Sequence, residues 1–299
     1  MFQKNKNKVK DSLGDRIFDV VNVIFMILLA VIILYPFLNI LAISMSGVSE
    51  GRLNIVTIIP KQLTVDAYSQ IVANSAIWRS YANTIFVALV GAAITVLLTA
   101  VAAYPLAFCE FPGKRAYNFF IVITMWFNAG IIPSYMVVRS LGLLNSLWAL
   151  IIPGALSAYN VIVIRTTFQS IPKSLVEAAK MDGASAWRIL FTVVMPLAKA
   201  GLAVVALWTV VGHWNNYTGP LLYISSTEKF TLQQILNKIV LNAQGSDIGI
   251  NAGTADGVAA LGTQVKYATV MFSMLPVLIT FPFVQKYFVQ GALVGSVKE

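Results

Sequence analysis

Glu177 to Pro196 reads EAAKMDGASAWRILFTVVMP, a short polar stretch between two long apolar runs. Its residue types suit docking more than bond-making. Ala178, Ala179, Gly183 and Ala184 are small, so another chain's backbone can come close. Glu177, Lys180, Asp182 and Arg188 offer polar contacts, and Trp187 and Leu190 offer apolar anchors. Ser174 followed three residues later by Glu177 has the capping-box pattern, which predicts a short helix over 175–182. Gly183 interrupts it, and a second short helix with Trp187, Ile189 and Leu190 leads to Pro196. Two short helices with a bend make a stiff knob that can transmit a push. The other open reading is an amphipathic helix that touches only lipid headgroups.

A second cluster is Trp208, His213, Trp214, Asn215, Asn216 and Tyr217, inside an otherwise apolar run. Aromatic faces stack on the apolar faces of sugars, and amide side chains hydrogen-bond hydroxyls. Polar groups at membrane depth face a cavity or a neighbouring helix. The same residues also fit interhelical hydrogen bonds and an interfacial aromatic belt, and both readings stand. Asn128 and Tyr135 are further candidates for a solute path, close to Gly130 and Pro133, which can bend their helix. Ser157, Tyr159 and Asn160 are comparable.

Other chemistries lack their residues. Cys109 is the one cysteine and His213 the one histidine, so no internal disulfide and no cysteine- or histidine-rich metal site is expected. No Gly-rich loop precedes Lys-Ser or Lys-Thr, and HExxH is missing. No catalytic residue and no cofactor of the chain's own is therefore expected. The apolar runs carry no central Asp or Glu, the usual titrating group of a proton-coupled carrier.

The elements that position these residues are membrane helices. The chain has 299 residues, of which 58% are hydrophobic and 11% charged, with mean hydropathy +0.77. Soluble domains carry about 25% charged residues, so this surface is made for lipid. The net charge of +9 lies in loops and not along one stripe, which argues against nucleic acid. Six runs approach the roughly 20 residues that a spanning helix needs: Phe18–Ser44, Tyr81–Cys109, Ala116–Val138, Leu147–Phe168, Ala198–Ile224 and Tyr267–Val289. The predicted fold is all-α, with a basic segment 1–17, a six-span domain 18–290 and a tail 291–299. The N-terminus, loop 110–115, the stretch 165–199 and the C-terminal stretch from Lys286 hold fourteen Lys and Arg, against seven on the other side. The richer side is cytoplasmic by the positive-inside rule. Loops 47–80 and 225–266 then lie outside. The second contains Gln244, Gly245, Asn251, Gly253 and Gly257, in a stretch able to approach a partner closely or to serve as a plain connector.

The run Glu177-Ala178-Ala179, Gly183 and Pro196 resembles the EAA coupling loop of ATP-binding-cassette importer permeases. Asn128–Gly154, Ser170–Ser185 and the terminal VQKYFVQGALVGSVKE extend that resemblance over most of the chain. It is similar to the second permease of maltose-type carbohydrate importers, in the subgroup for complex oligosaccharides and polysaccharide fragments. The resemblance implies a type I importer fold in the cell membrane. It also implies a heterodimer with a second permease, two ATPase subunits that bind ATP and Mg, and an extracytoplasmic solute-binding protein. Residues 177–188 would then receive the ATPase, Gln244–Gly257 would contact the binding protein, and 291–299 would reach the ATPase dimer. The chain departs from the family by Val193-Val194-Met195-Pro196 in place of Ile-x-Leu-Pro. It also ends in Lys298-Glu299, where relatives end with a small residue. Two other classes remain: a permease for another small polar solute, including a secondary carrier, and a non-transporting membrane scaffold with a docking loop.

Overall fold

In the computed structural model, residues 12–47, 59–60, 62–127, 129–241, 264–280 and 282 are described. The chain divides into two units. One comprises Met1–Ile71 and Asn242–Phe272, the other Val72–Leu241 and Ser273–Glu299.

In the first unit, helix α1 runs Leu13–Ser44. Ser12 caps it, its Oγ accepting from Gly14 N at 3.3 Å while Asp15 Oδ2 accepts from Ser12 N at 3.0 Å. This box satisfies two of the helix's open N–H groups. Most of α1 is exposed apolar surface, and Ala42, Ile43 and Ser44 are its buried residues. Such a surface is stable when hydrocarbon covers it. An isolated antiparallel bridge joins Ser46 to Leu63. The buried Gln264 amide, at the start of helix Gln264–Thr280, donates to the Ser46 carbonyl. Helix α2, Asp66–Ala73, lies in the loop expected between the first two spans.

The second unit is organised around α3, Ser75–Phe108. At about 1.5 Å per residue this helix is about 50 Å long, well beyond the roughly 30 Å hydrocarbon core. Asn74 caps it by accepting from Ala76 N at 2.9 Å, which explains why it starts before the expected Tyr81. Its inward face is built from small residues, including Gly91, Ala92, Thr95, Thr99, Ala100 and Ala103. Without a strong hydrophobic drive between helices in lipid, such faces allow the close backbone packing that holds a bundle together.

The expected spans are helical but several are broken. The third becomes α4, Lys114–Trp126, and α5, Ile131–Ser140, with Gly130 between them. The fourth becomes α6, Trp148–Ile151, and α7, Ala158–Gln169, separated around Pro153 and Gly154. Two short helices follow, α8 at Lys173–Met181 and α9 at Ala186–Ile189. A π-helical turn over Leu190–Val194 leads into α10, Met195–Leu197. Pro196 has no N–H to offer the Thr192 carbonyl, and the ladder widens in the turn before it. The fifth span is α11, Lys199–Asn215, followed by α12, Thr218–Tyr223. Helix α13, Leu232–Leu241, stands within the loop expected over 225–266. The sixth apolar run is helical in α14, Gln264–Thr280, as far as the described residues reach.

The core of this unit lies where α3, α7 and α11 meet the segment 171–198. Ala100, Ala103, Ile164, Phe168, Val194 and Val205 are fully or almost fully buried there. Phe168 stacks on Phe108 with centroids 6.4 Å apart. Cys109, half-buried, packs at the edge of this cluster.

At the opposite end of α3, Asn145 sits in the left-handed region at φ 56°. Its Oδ1 accepts from Ser225 N and Ser226 N, and its Nδ2 donates to Ser226 Oγ. Buried Gln234 donates to the Pro220 carbonyl at 3.0 Å and accepts from Thr231 N at 3.1 Å. These bonds tie the loop after α12 and the start of α13 to the helix ends.

Candidate coupling knob and translocation cleft

The knob begins at Pro172, whose φ of −56° leads directly into α8. The capping box expected at Ser174 and Glu177 is not formed. The helix starts two residues earlier, at Lys173, so Ser174 lies inside it and its side chain caps nothing. Val176 is buried, and Ala179 and Ala184 pack against the core. The opposite face shows Glu177, Ala178 and Lys180 to the outside, with Met181 88% exposed. Among the described residues Glu177 has no hydrogen-bonding or ionic partner.

Gly183 ends α8 with φ +76°. Ala184 N donates to the Ala179 carbonyl and Gly183 N to the Lys180 carbonyl, each at 3.0 Å. This pair of bonds is the Schellman arrangement, which needs a left-handed residue and so favours glycine. Ser185 caps the next helix, its Oγ accepting from Arg188 N at 3.3 Å. Ile189, Leu190 and Val194 are buried in the common core, so Leu190 anchors the knob to its own membrane helices. Trp187 does not. It is 60% exposed and stacked on exposed Phe191, centroids 6.2 Å apart. Beyond it, the 186–197 segment turns 84° into α11. The result is a rigid projection with an outward apolar patch of Leu175, Met181, Trp187 and Phe191 among the charges of Glu177, Lys180, Asp182 and Arg188. Met181 and Leu175 were not singled out in the sequence. Their exposure on an otherwise packed knob is the signal, and only the fold shows it.

The cleft, of about 560 Å³, lies between α3, α7, α11, α12 and the segment around Pro153. Its aromatic wall is Tyr159 with Trp208, ring centroids 5.5 Å apart. Asn160, Thr209, His213 and Asn216 line it, and Tyr223 closes one side. Tyr135 stacks on that Tyr223 at 6.2 Å. Thr95, also in the lining, is buried, and its Oγ1 is without a hydrogen-bond partner. Gly91 seats the histidine. A Cβ there would fall 2.5 Å from His213 Nε2.

The other members of the second cluster point elsewhere. Trp214 is buried edge-on against Tyr81 at 6.0 Å. Asn215 donates to its own helix at the Val211 carbonyl. Tyr217 OH donates to Asn237 Oδ1 at 3.1 Å, tying the start of α12 to α13. Spacing alone could not separate these roles, because residues 208–217 cover every side of a helix within three turns. Asn128, the loop residues Gln244, Gly245, Asn251, Gly253 and Gly257, and the tail 291–299 lie outside the described residues.

Residues 89–294 match the family described as binding-protein-dependent transport system inner membrane component. The chain belongs to this family. It is thus a multi-pass permease of the inner membrane, with the all-helical type I importer fold. It is 36% identical over 284 residues to the polygalacturonan/rhamnogalacturonan transport system permease protein YtcP of Bacillus subtilis (strain 168), covering 95% of this chain and 99% of that one. It is 37% identical to protein LplC of the same organism, covering 95% of each. Among solved structures it is similar, at TM-score 0.84 and 35% identity, to a chain of a bacterial ABC transporter involved in the import of the acidic polysaccharide alginate. That match covers 94% of this chain and 100% of the other.

Proposed function

We propose that this permease carries oligosaccharides or polysaccharide fragments inward, driven by ATP hydrolysis in separate subunits. A second related permease would complete the pore, two ATPase subunits would seat on the knob, and an extracytoplasmic binding protein would deliver the sugar. Both termini and the knob would face the cytoplasm, in keeping with the asymmetry of Lys and Arg. The observation that carries the reading is the pairing of a rigid exposed knob with an aromatic-and-amide cleft. The two are joined through one core by α7 and α11.

The cleft suits passage. Tyr159 and Trp208 offer ring faces to sugar rings, and Asn160, Thr95 and His213 offer hydrogen bonds to hydroxyls. Among the described residues its lining holds no Lys or Arg, so an acidic sugar meets hydrogen-bond donors there and no strong ion pair. Weak sites let a solute leave as readily as it enters. The substrates of these relatives, polygalacturonan/rhamnogalacturonan and alginate, support a saccharide and within that class an acidic one.

Proteoliposomes containing the assembled transporter test this. ATP hydrolysis is expected to rise with binding protein loaded with oligogalacturonate or alginate oligomers, and to stay basal with an amino acid or peptide. Uptake of labelled sugar in vesicles lacking any ATPase would refute it in favour of a secondary carrier. Within the same assay, Trp208→Ala is expected to lower the apparent kcat/KM for uptake by about tenfold, with the binding protein's own affinity unchanged. Unaltered uptake would remove Trp208 from the path.

A further inference from the structure

A second cavity, of about 750 Å³ and almost wholly apolar, opens between α3, α4 and α7, away from the cleft. Pro105 and Leu106 from α3, Phe120 and Ile121 from α4, Val161 from α7 and Leu156 just before it line the cavity. Arg165 lies one turn beyond Val161 on the same face of α7, toward the knob. Asn118 lies one turn from Ile121 on α4. The two meet, Arg165 Nη1 donating to Asn118 Oδ1 at 2.8 Å. Asn118 is itself fixed, its Nδ2 donating to the Lys114 carbonyl at 2.9 Å. A cation and an amide therefore close one end of an oily groove.

Arg165 is short of an anion. Its Nε is buried without a hydrogen-bond partner, and no carboxylate pairs with it among the described residues. Nearby Lys114 has its own counter-ion, Glu110 at 3.2 Å. A half-buried guanidinium at the edge of the bilayer is costly unless a negative group meets it. Glu110 is held by Lys114, so this charge must be met from outside the set.

We propose that an anionic phospholipid occupies this groove, an acyl chain against Phe120, Ile121 and Val161 and the phosphate on Arg165. A protein helix would fill the oily part but would leave the guanidinium unpaired unless it carried an acid at one position. A lipid supplies both ends at once, and basic pockets between membrane helices are known to hold such headgroups. The site sits directly before α8, so its occupancy would stiffen the root of the knob.

The transporter, purified with the subunits that accompany it, is exchanged into detergent containing equal phosphatidylglycerol and phosphatidylcholine and examined by native mass spectrometry. Wild-type protein is expected to retain phosphatidylglycerol over phosphatidylcholine by about fivefold or more. Arg165→Gln is expected to lose that preference, and Arg165→Lys to keep part of it. Equal retention of both lipids by the wild-type protein, which needs no variant to fold, would overturn the proposal. So would an unchanged preference in Arg165→Gln. Loss of a protein subunit from that variant with lipid retention intact would assign Arg165 to a protein contact instead.

Discussion

Replacing Gly183 with valine is expected to leave the permease in the membrane and to cut ATP hydrolysis stimulated by sugar-loaded binding protein more than about tenfold. The cause is backbone strain and not crowding. Gly183 has φ +76°, and nothing lies within 4 Å of an added Cβ. A residue other than glycine costs roughly 1–2 kcal/mol in this region, and a β-branched one is a true outlier there. The chain escapes by unwinding the turn in which Ala184 N and Gly183 N close α8. That rotates Glu177, Met181 and Lys180 relative to Trp187 and Arg188, so the surface offered to an ATPase no longer fits. Asparagine tolerates the left-handed region, so Gly183→Asn is expected to retain most of the stimulation. The comparison separates backbone from contact. Normal stimulation in the valine variant of an intact complex would refute the assignment of this knob to coupling.

Phe168→Ala is the second large effect. Phe168 is fully buried where α7 meets Ile171, Val176 and Leu190, and it stacks on Phe108. Truncating a buried phenylalanine costs about 3–5 kcal/mol through lost transfer energy and the cavity left behind. Here the loss falls on the joint between knob and membrane helices. The variant is expected to unfold at lower temperature. It should also become open to trypsin at Lys173, Lys180 and Arg188, which are exposed side chains held on a packed backbone. Phe168→Leu, closer in volume, is expected to cost under about 1.5 kcal/mol and to resist the protease. Equal resistance in the alanine variant would show that the knob holds its shape without this joint.

The effects differ in kind. Under the proposed function Gly183 acts through the shape of a surface whose partner lies outside the chain, so its readout is coupling. Phe168 acts through the rigidity of the connection, so its readout is stability first and coupling second. A knob that yields under load transmits little of the motion applied to it.

The sequence by itself determined the class and the local form of the knob. Few charges and long apolar runs require lipid as solvent, because the backbone must then satisfy its own hydrogen bonds in helices. The EAA pattern, the glycine at 183 and the proline at 196 are local features, and their consequences are local: a short helix, a left-handed turn, a widened turn before the next span. The tertiary structure decided what periodicity cannot reach. The break in the fourth span falls at Pro153 and Gly154, which line the cleft beside other helices. The start of α8 at Lys173 reflects the fixed φ of Pro172, which overrode the capping pattern of Ser174. Residues 208–217 divide into cleft, core and strut only when α3, α7 and α13 surround them. Arg165 and Asn118 are 47 positions apart, and no spacing rule pairs them. Helix type is set by neighbours in the chain, whereas the side of a helix that faces a cavity is set by residues far along it.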